Sequence, residues 1–172
     1  VCVVVNGNGV HNEPLLVKLL RENVPGIKGI MVNVNRERTN VILGSKYRIL
    51  WGQDYITDEL CGLKFRISSD SFYQVNSSQA ERLYTIAKKY AKLTGRETVL
   101  DLYCGTGTIG LTMAKEAKHV IGVEAVGHAV EDARKNAEYN GIANAEFICA
   151  DAAEASEKLK KDGTEPDVVV LD

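Results

Sequence analysis

The feature that most constrains the fold of this chain is a regular alternation of short apolar runs with helical patterns in its second half. The segments predicted are, in chain order, a strand at 98–103, a helix at 107–116, a strand at 119–125, a helix at 129–139, a strand at 145–150, a helix at 153–161 and a strand at 167–171. Apolar runs of this length between helices are typical of strands that are buried on both faces. The sequence therefore predicts an α/β domain with a doubly wound parallel sheet.

The first 70 residues follow a different pattern, which predicts a small mixed α/β unit. An apolar run at 1–5 predicts a strand, and Asn12-Glu13-Pro14 predicts the start of a helix that continues to about Asn23. Short β-rich runs interrupted by glycines predict antiparallel strands, and these runs lie at 29–34, 40–43, 47–51 and 63–67.

A helix after residue 76 is predicted to connect the two regions. Ser78 and Glu81 have the spacing of a capping box at its start, and its apolar stripe includes Tyr84 and Tyr90, which are predicted to be core residues. We therefore expect one unit at residues 1–70 and the sheet domain at residues 71–172.

Composition narrows the class of protein. Of the 172 residues 45% are apolar, the formal net charge is −2, and no stretch approaches the roughly 20 consecutive apolar residues of a membrane span. A soluble protein without a membrane partner is expected, and because the first residues have no basic leader, the expected location is cytoplasmic. The four cysteines contain no Cys-x-x-Cys pair, so we expect neither a disulfide framework nor a metal site.

The most informative segment is the run from Asp101 to Gly110, Asp-Leu-Tyr-Cys-Gly-Thr-Gly-Thr-Ile-Gly, at a predicted strand-to-helix turn. Its glycines fit the pattern Gly-x-Gly-x-x-Gly, in which they allow a tight turn and close approach of a ligand to the backbone. The pattern alone leaves a nicotinamide or flavin ligand open. Glu124, 19 residues after Gly105, ends the second strand. A carboxylate at that position can bind the ribose hydroxyls of a nicotinamide or flavin dinucleotide.

Asp101 favours a different cofactor. A carboxylate four residues before Gly105 would repel a pyrophosphate, but it suits a ligand with a cationic amino group such as the methionine part of S-adenosylmethionine. Asp151, just after the third strand, is a candidate acceptor for the adenine amino group, and a helix N-cap is an equally good interpretation of it. Three carboxylates at the ends of successive strands together indicate a ligand site.

Cys104 allows one alternative, a nucleophile activated at the start of a helix. No His, Asn or second base accompanies it within the motif, so a packing role is the better interpretation.

Two motifs together resemble the RNA uracil-5 methyltransferases, particularly the 23S ribosomal RNA branch. They are Ser71-Phe72-Tyr73-Gln74-Val75-Asn76 and, after a helix, the glycine run itself. The resemblance extends over essentially the whole chain, including Asn33-Val34-Asn35, the run from Thr39 to Gly44, and Leu50-Trp51-Gly52. It implies a class I, Rossmann-like methyltransferase fold that is incomplete at its C-terminus, with S-adenosylmethionine as cofactor and ribosomal RNA as substrate.

The resemblance also implies roles for individual residues. Gln74 is expected to contact the cofactor, Tyr103, Gly105 and Thr108 to line the glycine loop, and Glu124 to bind the ribose. Asp101, Asp151 and Asp172 complete the expected cofactor set, and Asp172 matches the first residue of the family's Asp-Pro-Pro-Arg element.

In that family a thiolate adds at uracil C6, C5 then attacks the methyl group, and a base removes the C5 proton so that the thiolate is eliminated from C6. The resemblance places this Cys and the general-base Glu beyond Asp172, so no catalytic residue is expected within the chain. We accordingly expect a fragment of a longer enzyme that is inactive by itself and that can dimerise through an open edge of its last strand.

Three other functions stay open at this point. The first is the transfer RNA branch of the same family, and the second is a non-catalytic module that binds S-adenosylmethionine or RNA on a methyltransferase fold. The third is a dinucleotide-dependent oxidoreductase.

Overall fold

The computed structural model describes residues 1–38 and 40–172. Its contacts divide the chain into two compact units, Val1–Ile56 and Thr57–Asp172. The elements are β1 (Cys2–Val5), α1 (Glu13–Asn23), β2 (Gly29–Val34), β3 (Lys46–Gly52), β4 (Tyr55–Leu60), β5 (Leu63–Ser68), α2 (Ser77–Ala91), β6 (Thr98–Leu102), α3 (Thr108–Met113), β7 (His119–Glu124), α4 (Gly127–Tyr139), β8 (Ala145–Cys149), α5 (Ala152–Lys161) and β9 (Val168–Leu171). Within the described ranges, no helix has the length and apolar character that crossing a membrane requires.

The first unit contains a three-stranded mixed sheet in the order β1-β2-β3, together with α1. β1 is parallel to β2, and β2 is antiparallel to β3. Helix α1 begins at the predicted place, with the Asn12 side chain accepting a hydrogen bond from the Leu15 amide. A strand at β4, outside the predicted runs, leads into the second unit.

The predicted strand at 40–43 is wrong, because side chains rather than a neighbouring strand bind this stretch. The Asn35 carboxamide donates to the carbonyls of Val41 and Ile42, and the buried Asn33 carboxamide both donates to the Gly44 carbonyl and accepts from its amide. Thr39, which belongs to the upstream motif, lies outside the described residues.

The second unit begins with a hairpin of β4 and β5, connected by Cys61 and Gly62, both with positive φ. Such a two-residue turn matches the twist of a hairpin. Because β5 packs against α4, the hairpin belongs with the parallel sheet, and the division of the chain falls earlier than the predicted boundary after residue 70.

The parallel sheet of the second unit has the strand order β8-β7-β6-β9, and all its neighbouring strands are parallel. Alternate residues pack on opposite faces: Val99 and Val120 lie in one cluster with α3 and α4, whereas Leu100 and Ile121 lie in another with α5. Helices on both faces confirm the predicted doubly wound sheet. Among the described residues, β9 pairs with β6 alone.

Helix α2 begins differently from the prediction. Its N-cap is Asn76, whose side chain accepts from the Gln79 amide, while the Glu81 carboxylate accepts from the Cys61 amide across to the hairpin turn. Tyr84 is buried as predicted, but Tyr90 is 80% exposed, so its prediction as a core residue is wrong.

Candidate cofactor site

A cleft lies at the carboxyl end of β6, under the glycine loop. Its lining comes from the loop, from the segment before α2, from α2 and from the residue after β9: Phe72, Tyr73, Gln74, Tyr84, Asp101, Tyr103, Cys104, Gly105, Thr106, Thr108, Ile109 and Asp172. The enclosed space is about 40 Å³, little more than the volume of a single water molecule in the liquid. The cleft can therefore hold a small charged group. A nucleoside would have to extend out of the cleft along the carboxyl ends of the parallel strands.

Asp101 forms the floor of this cleft with a side chain that is only 2% exposed. Its Oδ2 accepts a hydrogen bond of 2.8 Å from the amide of Gly110 in α3. Burial raises the pKa of Asp101 to about 7, the Gly110 amide opposes that rise, and the nearby Asp172 carboxylate adds to it. A cationic group in the cleft would relieve this unfavourable environment of the charged carboxylate.

The glycine loop has the positive-φ backbone of the tight turn that its glycines were predicted to allow. Gly105 and Gly107 have φ of 54° and 80°, and Tyr103 has φ of 62° without being a glycine. A Cβ at Gly105 would meet only the Phe72 carbonyl oxygen, 3.9 Å away across the cleft, so it would occupy space that is otherwise open to a ligand. A Cβ at Gly107 would instead lie 3.0 Å from the Phe147 ring, which is a packing constraint.

Glu124 is bound to the backbone of two loops at the end of β7. Its Oε2 accepts from the Gly105 amide at 3.1 Å and its Oε1 accepts from the Val126 amide at 2.8 Å. Both carboxylate oxygens are therefore engaged, each with lone pairs left for ligand hydroxyls. The predicted ribose contact stays a prediction, and the structure adds that Glu124 supports the loop itself.

Gln74 and Asp172 lie together, although 98 positions separate them in the chain. The Gln74 Nε2 donates to Asp172 Oδ2 at 3.5 Å, and both residues line the cleft. On the loop side, Thr108 Oγ1 is hydrogen bonded to the Tyr84 hydroxyl at 3.0 Å. Five of the predicted cofactor residues thus lie with Gly105 around one cleft: Gln74, Asp101, Tyr103, Thr108 and Asp172.

The segment that carries Gln74 is held in place by hydrogen bonds to one carboxylate of the β4–β5 hairpin, that of Asp58. Asp58 Oδ2 in β4 accepts hydrogen bonds from the Tyr73 hydroxyl at 3.1 Å and from the Ser77 hydroxyl at 3.2 Å. Burial and this carboxylate raise the pKa of Tyr73, so its hydroxyl stays a donor at all physiological pH values.

Asp151 lies apart from the cleft lining and is exposed. It is the N-cap of α5, where its Oδ1 accepts from the Ala153 amide at 2.8 Å. The sequence left two interpretations of Asp151 open, and the structure shows the helix cap. The adenine contact stays a prediction.

Cys104 does not have the environment of an activated nucleophile. It is 6% exposed, and burial together with the carboxylates of Asp101 and Glu124 raises the pKa of its thiol. A raised pKa keeps the thiol protonated, which opposes nucleophilic attack. Across the part of the chain that the structure describes, no group of three or more His, Cys, Asp or Glu side chains is arranged to hold a metal ion.

The chemistry of the cleft fits the methionine end of S-adenosylmethionine and disfavours a pyrophosphate. Asp101 and Asp172 line it, and none of its described lining residues is Lys, Arg or His. Thr106 Oγ1, which is buried in the same lining, has no hydrogen-bond partner among the described residues and is free for a ligand or a water molecule. A phosphate here would meet two carboxylates and no cationic side chain.

Six lining residues of this cleft were not among the predicted cofactor residues, and two of them, Tyr84 and Thr106, have hydroxyls at the glycine loop. The apolar stripe of α2 indicated Tyr84 as a core residue, and only its hydroxyl bond to Thr108 connects it to the glycine loop. Thr106 lies between the first two glycines of the motif, and no local pattern distinguishes its buried hydroxyl from an exposed one.

Comparisons with known proteins agree with this geometry. A family profile described as a methyltransferase domain matches residues 93–172. An uncharacterized RNA methyltransferase of Clostridium acetobutylicum is 48% identical over 170 residues, which are 99% of this chain and 37% of that protein. Another, from Halalkalibacterium halodurans, is 45% identical over 172 residues, which are 100% of this chain and 38% of that protein. The chain thus spans less than two fifths of the length of these relatives.

Among solved structures, the tRNA (uracil-54, C5)-methyltransferase of Pyrococcus abyssi in complex with S-adenosyl-L-homocysteine is similar, with a TM-score of 0.65 and 30% identity. The match covers 87% of this chain and 35% of that one. The predicted class I, Rossmann-like methyltransferase fold is therefore confirmed.

Proposed function

We propose that this chain is the cofactor-binding part of an RNA methyltransferase that uses S-adenosylmethionine to methylate uracil C5 in 23S ribosomal RNA. The observation that carries the proposal is the cleft under the glycine loop, where a buried carboxylate without a cationic partner lies beside a second carboxylate. The methyltransferase profile over residues 93–172 and the neighbour solved with S-adenosyl-L-homocysteine support the cofactor.

Each proposed role follows from the position of the residue. Asp101 and Asp172 bind the ammonium group of the cofactor, and Gln74 orients Asp172 through its hydrogen bond. Gly105 leaves room above the loop, and Tyr103 and Thr108 form its rim.

Two predicted contacts lie away from the cleft. Glu124 accepts the ribose hydroxyls while it supports the Gly105 amide, and Asp151 faces the adenine at the next strand end.

When bound, S-adenosylmethionine supplies an electrophilic methyl group. The residues of this chain bind and orient that donor, and the paired carboxylates keep a phosphate out of the cleft. The family resemblance assigns the thiolate that activates C5 and the base that removes its proton to positions outside this sequence. We therefore propose no catalytic residue within it, and we expect no methyl transfer by the 172-residue chain alone.

The RNA substrate is supported by the relatives, which are named RNA methyltransferases. The choice of ribosomal RNA depends on the family resemblance alone, and the Pyrococcus abyssi neighbour, which acts on transfer RNA, favours the tRNA branch as the second candidate. A non-catalytic RNA-binding or cofactor-binding module is the third. The cytoplasmic location and the dimer through β9 stay predictions.

The test separates cofactor from substrate. Calorimetric titration of the chain with S-adenosyl-L-homocysteine is expected to show binding, whereas NAD(H) is expected to show none. The opposite result would refute the proposal. A longer protein that contains this sequence is then incubated with ribosomal or transfer RNA and methyl-labelled cofactor, and nucleoside mass spectrometry identifies the product.

We expect 5-methyluridine in ribosomal RNA. The product in transfer RNA alone would establish the second candidate, and a methylated base other than uracil would exclude both. Turnover by the 172-residue chain itself would refute the assignment of the catalytic groups to positions outside it.

A further inference from the structure

One face of α4 and the C-cap residue that follows it present three polar side chains to the outer edge of β5: Asp132, Asn136 and the C-cap Asn140, spaced four residues apart. We call them the α4 polar row. We propose that the α4 polar row positions the two sides of the cofactor cleft relative to each other, with Asn136 as the central positioning residue. Its effect on cofactor affinity depends on the proposed function, whereas its effect on the geometry of the cleft does not.

The row binds β5 as a neighbouring strand would. Asn136 Oδ1 accepts from the Arg66 amide at 2.7 Å, and its Nδ2 donates to the Arg66 carbonyl at 3.1 Å. Asn140 repeats the same pair of bonds with Lys64, at 2.9 and 2.7 Å. Four residues of a helix rise about 6.0 Å and two residues of a strand about 6.6 Å, so successive carboxamides meet alternate residues of the strand.

Asp132 holds the end of β5, where the chain leaves the strand for the segment that carries Gln74. Its Oδ2 accepts from the Ser68 amide at 2.9 Å and from the Ser71 hydroxyl at 3.3 Å. Its Oδ1 lies 3.5 Å from Nε of Arg66, and the Asp132 side chain is 2% exposed. The direction in which residues 69–76 depart toward the cleft is therefore set by a buried charge.

Asn136 connects this strand to the opposite side of the cleft. Its Nδ2 also donates to the Thr106 carbonyl of the glycine loop at 3.1 Å. Both hydrogens of the carboxamide are thus used, one on β5 and one on the loop, and the residue is fully buried. A buried polar group with all its partners in place restricts where each partner can lie.

A purely structural role would be to cover the open edge of β5, as proteins commonly do with exposed edges. Asn140 provides the control, because it has the same two-bond contact with β5, and its further bond goes to the Asn136 carbonyl of α4 and not to the glycine loop. The two roles therefore predict different results for Asn136→Ala and Asn140→Ala.

The experiment compares these two variants in the 172-residue chain, at a temperature where thermal unfolding shows both to be folded. Hydrogen exchange is measured without ligand, and S-adenosyl-L-homocysteine affinity is measured by calorimetry. For Asn136→Ala we expect faster exchange both in β5 and at residues 105–107, and binding weaker by about tenfold. For Asn140→Ala we expect faster exchange in β5 alone and binding within about twofold of the wild type.

Equal effects of the two variants at residues 105–107 and on affinity would overturn the inference. If Asn136→Ala does not fold, Asp132→Ala is compared with Asp132→Asn, which retains an oxygen for the Ser68 amide. Asp132→Ala should increase exchange at residues 71–76, and Asp132→Asn should restore it; identical behaviour of this pair would also overturn the inference. If the wild-type chain binds no S-adenosyl-L-homocysteine, the proposed function fails, and the exchange data still decide the role of the row.

Discussion

The carboxyl end of β6 and the carboxyl ends of its neighbours β7 and β8 lie at one edge of the same sheet, and their acidic side chains are in different situations. Asp101 at β6 is 2% exposed and accepts one backbone hydrogen bond, from the Gly110 amide, and burial raises its pKa to about 7. Glu124 at β7 accepts from the amides of Gly105 and Val126, one on each carboxylate oxygen, and the exposed Asp151 at β8 accepts from the Ala153 amide of α5. The three carboxylates thus share a strand-end position and backbone hydrogen bonds, and burial in the cleft distinguishes Asp101 from the other two.

The largest expected effect is on cofactor affinity in Asp101→Asn. The variant retains an oxygen for the Gly110 amide but loses the charge that binds the ammonium group, so we expect S-adenosyl-L-homocysteine to bind about ten- to a hundredfold more weakly. Folding stability at pH 8 should stay the same or rise, because a desolvated charge is removed.

Asp167→Asn is the control for this substitution. Asp167 Oδ2 also accepts a 2.8 Å hydrogen bond from a backbone amide, that of Thr98. This bond lies where β6 and β9 begin, at the opposite end of the strands from the cleft. Calorimetry that showed the same loss of affinity in both variants would contradict the role given to Asp101.

The pH dependence of binding is the next test. Because burial raises the pKa of Asp101 to about 7, the ligand-free carboxyl is partly protonated near neutral pH and must release a proton to bind an ammonium group. Affinity should fall by up to about tenfold for each pH unit below 7, and calorimetry in buffers of different ionisation enthalpy should detect proton release.

The folding stability of the ligand-free chain should depend on pH in the opposite direction: it should fall as the pH rises, whereas cofactor affinity rises. A pKa raised in the folded state favours the protonated form there, so the contribution of Asp101 is complete below its ordinary pKa of 3.8 and is lost as the pH rises through about 7. In Asp101→Asn both dependences should disappear; if they persist, another group is responsible.

The smallest expected effect concerns Asp151. Asp151→Ser preserves a cap for α5 and removes the carboxylate, so stability should stay near that of the wild type while affinity falls by about threefold if the adenine contact exists. Asp151→Ala should in addition lose about 1 kcal/mol of unfolding free energy. Wild-type affinity in both variants would leave Asp151 as a helix cap only.

Local patterns were sufficient for much of the fold. The periodicity of apolar residues indicates the strands that are buried on both faces and the helices with an apolar stripe. The glycine loop is indicated by residues that tolerate positive φ. The prediction failed at 40–43, where Asn33 and Asn35 provide the hydrogen bonds that a strand neighbour would have provided. Both side chains lie only 6 to 11 positions from the groups that they bind, but a pattern of apolar residues does not detect side-chain partners.

The α4 polar row shows the same limit more sharply. Polar residues four apart on a helix have the pattern of a solvent-exposed face, so the sequence offers no sign that Asp132 and Asn136 are buried. The tertiary structure places the edge of β5 against them, and the backbone groups of that edge make the polar residues favourable there.

The sequence by itself determined the strands and helices of the doubly wound sheet, the glycine loop and the acidic residue before the loop, because each of them shows in a local pattern of apolar, glycine or acidic residues. The tertiary structure alone decided that Gln74 meets Asp172, that Tyr84 meets Thr108 and that Asn136 joins β5 to the loop. Each of these contacts joins residues more than 20 positions apart, and it forms only when the packed sheet and helices bring their side chains within hydrogen-bonding distance.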